Sequence, residues 1–451
     1  MISERPLRIA IVGSGPAGMY SAGHLLEGPG GTFINGGLNQ IVRRPVEVDV
    51  LERLPTPWGL IRSGVAPDHP DKKRMAAIYD SIARRQGFRF IGNVQVGRDV
   101  SPADLSQWYD GVIYAVGADD ERRLGITGED LRGSDSARAF VSWYNGHPDF
   151  SDLQFDLRCE RAVLVGNGNV AMDVARILFS PISTLHNTDI ASYALDALGK
   201  SQLKEIVILG RRGPEHAAFN YPELMELGEL ADTAISVEGT DLSLTPENAD
   251  YETQLKVNAL AKLCKEKSQG SRRIVFRFNA APTAIVGEGQ VAQIKVVDRR
   301  DQSEQALNAG LVLAAIGYRG LAIDGLPFDD VRGVIPSRDS RIVDNGIAIA
   351  GAYVTGWIKR GPKGIIGSNK KCARDAVAAV MADADSNVLP MEGTLSAAQV
   401  LEAINARVSV TLGFSGWQKI DRQEQSDGRA QGRPRLKMTA TGAMLGLVTA
   451  G

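Results

Sequence analysis

Two short runs of this sequence put glycine where a backbone must come close to phosphate. The first is Gly13-Ser14-Gly15-Pro16-Ala17-Gly18, directly after an apolar run and opening a helical pattern. In such a turn Gly13 permits the sharp bend, Gly15 lets the chain approach a pyrophosphate, and Gly18 lets the helix pack close on the strand. The helix N-terminus then offers unpaired N–H groups and a partial positive charge. The next strand ends in an acid, Glu52, and a carboxylate there can accept from both hydroxyls of a free ribose. Its separation from the Gly-turn exceeds the usual ~20 residues. The Gly- and Asn-rich stretch Gly28–Pro45, read as a loop insertion, accounts for the excess.

The second run is Gly166-Asn167-Gly168-Asn169-Val170-Ala171, with alanine in the third glycine's place. Alanine still allows close packing of helix on strand. Here the following strand ends in Arg211-Arg212. Paired guanidiniums are planar multi-donor forks that bind a ribose 2′-phosphate, which a carboxylate would repel. One site thus suits a free ribose and the other a phosphorylated one. FAD and NADP(H) are the simplest pair that meets both demands.

Two further stretches could meet a ligand. Pro55–Lys72, PTPWGLIRSGVAPDHPDK, contains four prolines, so it is stiff before it meets a ligand and loses little entropy in ordering. Trp58, Leu60 and Val65 are apolar enough to pack on a flat aromatic ring. His69 stands between Asp68 and Pro70. From the residues alone it is a structural hydrogen-bonder first and a chemical group second. Gly356 to Gly367, GWIKRGPKGIIG, follows a strand-like run and precedes a helical pattern. A helix N-terminus aimed at a flavin would stabilise its anionic reduced form.

The elements that must position these residues repeat. Strand Leu7–Val12, helix Pro16–Leu26 and strand Val46–Leu51 make one βαβ unit. Strand Arg161–Val165, helix Val170–Leu178 and strand Glu205–Leu209 make a second. Val112–Gly117 (VIYAVG) and Leu311–Gly317 (LVLAAIG) nearly match, and are read as strands where the chain crosses between domains. The expected class is α/β, with two doubly wound Rossmann-like domains. An NADP-binding domain at 117–317 is inserted into an FAD-binding domain made of 1–116 and 318–451. The polar run Gln423–Arg435 is expected to be a mobile loop or tail.

Composition sets the outer limits. The chain has 451 residues, which suits two or three domains. It is 43% apolar and 23% charged, and its formal charge is 51 − 53 = −2. Nothing in that balance calls for nucleic acid or an anionic membrane. Cys159, Cys264 and Cys372 are far apart and form no CxxC. No disulfide scaffold, zinc cage or other metal site is indicated, nor a redox dithiol. The start shows no leader pattern and no apolar run reaches the ~18 residues of a membrane span, so a cytoplasmic protein is expected.

In order, GSGPAG, PTPWGLIRSGVAPDHP, GNGNVAMDVARIL, GRRGP and GWIKRGP resemble the adrenodoxin-reductase-type ferredoxin–NADP reductases, especially the bacterial ones. The resemblance runs from about residue 7 to GRPRLK at 432–437. It implies hydride transfer from NADPH to flavin N5, then single electrons to an iron–sulfur ferredoxin, in a monomer. It implies FAD contacts at Ala17, Glu52, Leu60, Val96, Trp357, Gly364, Ile365 and Ile366, besides the first Gly-turn. It implies NADP contacts at Asn167, Gly168, Asn169, Val170, Arg211, Arg212, Glu223 and Gly364, with Arg122 a further candidate. His69 matches the histidine of the family's APDHP stretch, and Glu226 an acid on the helix after GRRGP. These two are the candidate catalytic pair, positioning the nicotinamide and relaying a proton. Met225 stands where the family commonly has a basic residue, and Lys363 where it has a small hydroxyl residue.

Two other readings remain open: an NADPH-handling flavoprotein subunit of a larger redox complex, and a nucleotide-binding protein that senses NADP(H) without turnover. The scattered cysteines argue against the cluster-rich segments such subunits carry.

Overall fold

The computed structural model describes residues 5–27, 32–37, 40–242, 249–364, 366–390 and 395–450. Strand Leu7–Val12 is buried along its whole length, because it lies between two parallel partners. Ile9 pairs with Val48 on one side and Gly111 on the other. A continuous apolar run is what a strand covered on both faces requires. Eight described strands make this sheet. From one edge they run Ser337–Arg338, Arg341–Asp344, Ile347–Val354, Gly111–Tyr114, Leu7–Val12 and Gln40–Glu52, and the last pairs with both Thr32–Gly37 and Phe88–Gly92.

The second sheet has six described strands, all paired in parallel. Their order is Thr233–Glu238, Arg272–Arg277, Glu205–Leu209, Arg161–Val165, Leu311–Ala314 and Ser134–Ser136. Every one of them lies in sequence between Gly111–Tyr114 and Ser337–Arg338 of the first sheet. Where the chain goes out and returns, Asp120–Glu121 and Tyr318–Arg319 pair as a short antiparallel ribbon. A separate antiparallel sheet, Ala280–Val286, Gln293–Asp298 and Glu304–Asn308, shares an apolar cluster with Val163, Val207 and Val275 of the second sheet. The architecture is thus α/β with two doubly wound sheets.

Two expectations fail. Gly28–Pro45 is not simply a loop. Thr32–Gly37 pairs antiparallel with Gln40–Pro45, extending the strand that ends at Glu52, while residues 28–31 and 38–39 lie outside the described residues. Glycine and asparagine hide a strand whose reason is its partner. Gln423–Arg435 is not a tail. Phe414–Ala430 is a helix with Gly416, Trp417, Ile420, Glu424 and Gly428 on its buried face. The Glu424 carboxylate accepts from both terminal nitrogens of Arg62 at 2.9 and 2.5 Å, from Arg435 at 2.9 Å and from the Met438 N–H at 2.8 Å. A charge can be buried when it is paired and hydrogen-bonded, and sequence displays the charge without its partners.

Among the described residues no helix is long and apolar enough to cross a membrane. Cys159, Cys264 and Cys372 are all unpaired.

Candidate active site

The two Gly-turns are built alike. Gly13 has φ +101° and its N–H donates to Leu51 O at 2.8 Å; a Cβ on it would stand 2.7 Å from Ala115 O. Gly166 has φ +116° and donates to Leu209 O at 2.9 Å, and a Cβ there would collide with Ala315 O. Each glycine sits at a φ that side chains rarely adopt, pressed on the carbonyl just past a neighbouring strand. No other residue type serves at either place. Gly15 and Gly168 are the N-caps of helices Pro16–Leu25 and Asn169–Phe179, and neither helix has a side-chain cap. Their first N–H groups are therefore unclaimed by side chains, as an anion site requires. The space beside Gly15 is open, Gly18 lies against the Gly13 carbonyl, and Ala17 abuts Gly356.

Around the first turn, Glu52 is partly committed. Oε2 accepts from Ser14 Oγ at 2.6 Å and Ser14 N at 3.0 Å, and Oε1 accepts from Leu54 N at 3.1 Å. A carboxylate offers about four lone-pair sites, so acceptor capacity is left. Trp58 has φ +84° and is buried against Tyr79, Phe414 and Trp417. It belongs to the core, whereas Leu60 is exposed. Val96 is half-buried beside the core. Trp357 opens the turn Trp357–Arg360 and stacks on Tyr318 with ring centres 5.8 Å apart. Gly364 has φ +89°. Ile365 lies outside the described residues, and helix Ile366–Asp385 begins immediately after it.

Around the second turn, Asn167 Oδ1 accepts from Ala218 N at 3.5 Å and Asn169 Oδ1 from Asn220 N at 2.8 Å, tying the turn to the loop ahead of Glu223. Val170 packs on the core. Arg211 and Arg212 are exposed at the end of their strand. Neither guanidinium has a partner among the described residues. Arg122 is exposed too, with its N–H on Gly317 O.

Several buried polar atoms lack a partner among the described residues: Trp357 Nε1, Thr355 Oγ1 and Arg360 Nη1 near the first turn, and Glu223 Oε2 near the second. Each such group costs about 1–3 kcal/mol. Phosphate oxygens, ring carbonyls and ribose hydroxyls supply what they lack, so two dinucleotides suit the residues present.

The two ends meet at His69, whose Nε2 lies 2.9 Å from Glu226 Oε2. The resemblance brought these two forward as a pair, and the fold makes them hydrogen-bond partners. It also adds residues that sequence reasoning missed. Arg176 Nη1 donates to the same Glu226 oxygen at 2.6 Å and to Asp173 at 2.9 Å, and two further nitrogens grip Asp68. Burial works against the Asp68 charge, but Arg176 outweighs it and holds that carboxyl below its usual range. Burial raises Asp173, which Arg176 offsets only in part. A signal was present: Asp173 and Arg176 are charges inside an otherwise apolar helical run. Met225 packs partly on the core beside this site.

Two Gly-turn nucleotide folds joined by a His–Glu pair define a two-dinucleotide oxidoreductase. Comparison with known proteins agrees. Residues 7–204 match the family model for pyridine nucleotide-disulphide oxidoreductase. "NADPH-ferredoxin reductase FprA" of Mycobacterium tuberculosis is 42% identical, over 98% of this chain and 99% of that protein. "NADPH:adrenodoxin oxidoreductase, mitochondrial" of Arabidopsis thaliana is 38% identical over 97% of this chain and 94% of that protein. The solved structure of Mycobacterium tuberculosis FprA in complex with NADPH superposes with a TM-score of 0.90 at 41% identity, covering 99% of this chain and all of that one. The chain belongs to the adrenodoxin-reductase-type ferredoxin–NADP reductases.

Proposed function

We propose that this protein binds FAD at the first Gly-turn and NADP(H) at the second, and passes electrons from NADPH to an iron–sulfur ferredoxin. The observation that carries the reading is the His69–Glu226 contact at 2.9 Å, which joins the proline-rich loop beside one turn to the helix beside the other. The residue assignments are those the resemblance implies, and the two Gly-turns support them: Gly13, Gly15, Ala17, Gly18, Glu52, Leu60, Val96, Trp357, Gly364, Ile365 and Ile366 toward FAD; Asn167, Gly168, Asn169, Val170, Arg211, Arg212, Glu223, Gly364 and Arg122 toward NADP. Domains at 1–116 with 318–451, and at 117–317, accord with the ribbon of Asp120–Glu121 on Tyr318–Arg319. Bound flavin supplies the conversion of a two-electron donor into single-electron steps, which no side chain provides. The chain's own residues bind, orient and hold charge. His69 and Glu226 position the nicotinamide, and Arg176 keeps Glu226 in place. The reading puts the protein in the cytoplasm, where unpaired cysteines stay reduced.

The test is to release the flavin with acid, identify it, and then follow NADPH oxidation with an artificial one-electron acceptor and with the host's ferredoxins. FAD release and turnover in both assays are expected. NADPH binding without turnover would leave a sensor, and turnover confined to a larger assembly would leave a subunit.

A further inference from the structure

Pro70–Lys73 is a single helical turn with His69 as its N-cap. Its segment is gripped repeatedly from around the second sheet. Asp68 meets Arg176, His69 meets Glu226, and Lys72 comes within 3.4 Å of Glu223. At the end of the turn opposite His69, Lys73 Nζ lies 2.5 Å from Asp189 Oδ1 and 3.3 Å from Asn145 Oδ1. The His69 carbonyl accepts from the Lys73 N–H at 3.2 Å, so the two ends move together.

Asp189 is itself held fast. Its second oxygen is 3.0 Å from Lys437 Nζ, which also donates to the carbonyls of Arg62 at 2.9 Å and Asn145 at 3.0 Å. Arg433 donates to the carbonyls of Thr188 and Ile190 and to Ser192 Oγ, securing the loop on both sides of Asp189. Two ammonium groups share one carboxylate here. Burial drives the pKa of each lysine down, and Asp189 opposes this only in part. A buried cluster of this kind adds little net stability over well-packed apolar residues. What it does supply is a fixed distance and direction.

We propose that Lys73 and Asp189 are positioning residues for the nicotinamide end of the site, their ion pair setting the orientation of the Pro70–Lys73 turn and so the placement of His69 against Glu226. This rests on the reductase reading above. The pair acts through His69.

Lys73→Gln removes the tie while leaving Asp189 paired with Lys437. Flavin reduction by NADPH, measured by stopped flow, is expected to slow by about tenfold, since misplacement of about 1 Å can cost ~10²-fold. KM for NADPH and FAD content are expected to stay within about twofold, as for a group that acts on the transition-state geometry. Lys73→Arg, which keeps the charge, recovers part of the rate. The decisive measurement is the double variant Lys73→Gln, His69→Ala. It is expected to reduce flavin no more slowly than His69→Ala alone, because contacts acting through one residue do not add. Additive losses, an unchanged rate in Lys73→Gln, or loss of FAD from Lys73→Gln and Lys73→Arg alike would overturn the proposal. A wild-type protein that binds NADPH but never reduces its flavin would instead sink the reductase reading.

Discussion

Arg176 and Asp68 meet in a two-point fork, Nε on Oδ2 at 2.7 Å and Nη2 on Oδ1 at 2.9 Å. It fastens the helix after the second Gly-turn to the loop that carries His69. Burial opposes the Arg176 charge, but Asp68, Asp173 and Glu226 outweigh it and hold its pKa above the ordinary value. Arg176→Ala therefore leaves partly buried carboxylates uncompensated and is expected to lower stability, by less than the roughly 3–5 kcal/mol that breaking a fully buried pair costs. Arg176→Lys restores a charge but not the planar fork, and is expected to keep FAD while reducing it more slowly. Urea unfolding and stopped flow check both. An unfolding midpoint unchanged in Arg176→Ala would show the fork to be dispensable.

His69→Ala and Glu226→Ala are expected to slow flavin reduction by NADPH by up to ~10²-fold, the scale of a 1 Å misplacement. Hydride transfer needs no proton at the donor carbon, so geometry is the larger effect. FAD content stays near wild type, and reoxidation of reduced enzyme by a ferredoxin stays fast. Wild-type reduction rates in both variants would return His69 to a structural role.

The double change Arg211→Ala, Arg212→Ala is expected to raise KM for NADPH at least about tenfold, since charge-assisted bonds contribute roughly 1.5–3 kcal/mol each. NADH use should hardly change. Both guanidiniums are exposed, so folding is not at stake. Equal losses with NADPH and NADH would show that the pair does not read the 2′-phosphate.

His147 makes stability depend on pH. It is buried, and its Nδ1 accepts from the Asp149 N–H at 3.2 Å. Burial pushes its pKa down to about 4; Arg53 and Arg138 assist, and Asp149 and Asp119 oppose. The unfolded chain, near the ordinary value of about 6.5, takes up this proton first as pH falls. Stability from this group is thus intact above about pH 6.5, declines below it, and stops declining near pH 4. Melting temperatures across that range should fall less steeply for His147→Gln. Parallel curves for the two proteins would assign the decline elsewhere.

What was legible in the sequence is what depends on neighbours along the chain. Leu7–Val12, Arg161–Val165, Glu205–Leu209 and Ile347–Val354 are strands with the bounds their apolar runs suggest. Both Gly-turns stand where glycine spacing places them, because a positive φ is a local demand. The rest depends on partners distant in sequence. Thr32–Gly37 is a strand because Gln40–Pro45 lies beside it. Trp58 is held in the core by Phe414 and Trp417, both far from it in the sequence. Glu424 looks like surface until Arg62 and Arg435 are brought to it. Asp68, Arg176, Lys73 and Asp189 went unread for the same reason. Their types are common, and only tertiary structure says which cation meets which acid.

The nesting of one sheet inside the other sets an order of assembly as the chain leaves the ribosome. The second sheet is complete once Leu311–Ala314 has emerged, whereas the first still awaits Ile347–Val354, which pairs with Gly111–Tyr114. Arg433 and Lys437, which secure the loop at Asp189, come later still. Folding units form as they are synthesised, so the inserted half should close first and the half made earliest should wait. Nascent chains arrested shortly after Leu311–Ala314 should protect the second sheet from protease while Leu7–Val12 remains cleavable. Protection of both together would reverse that order.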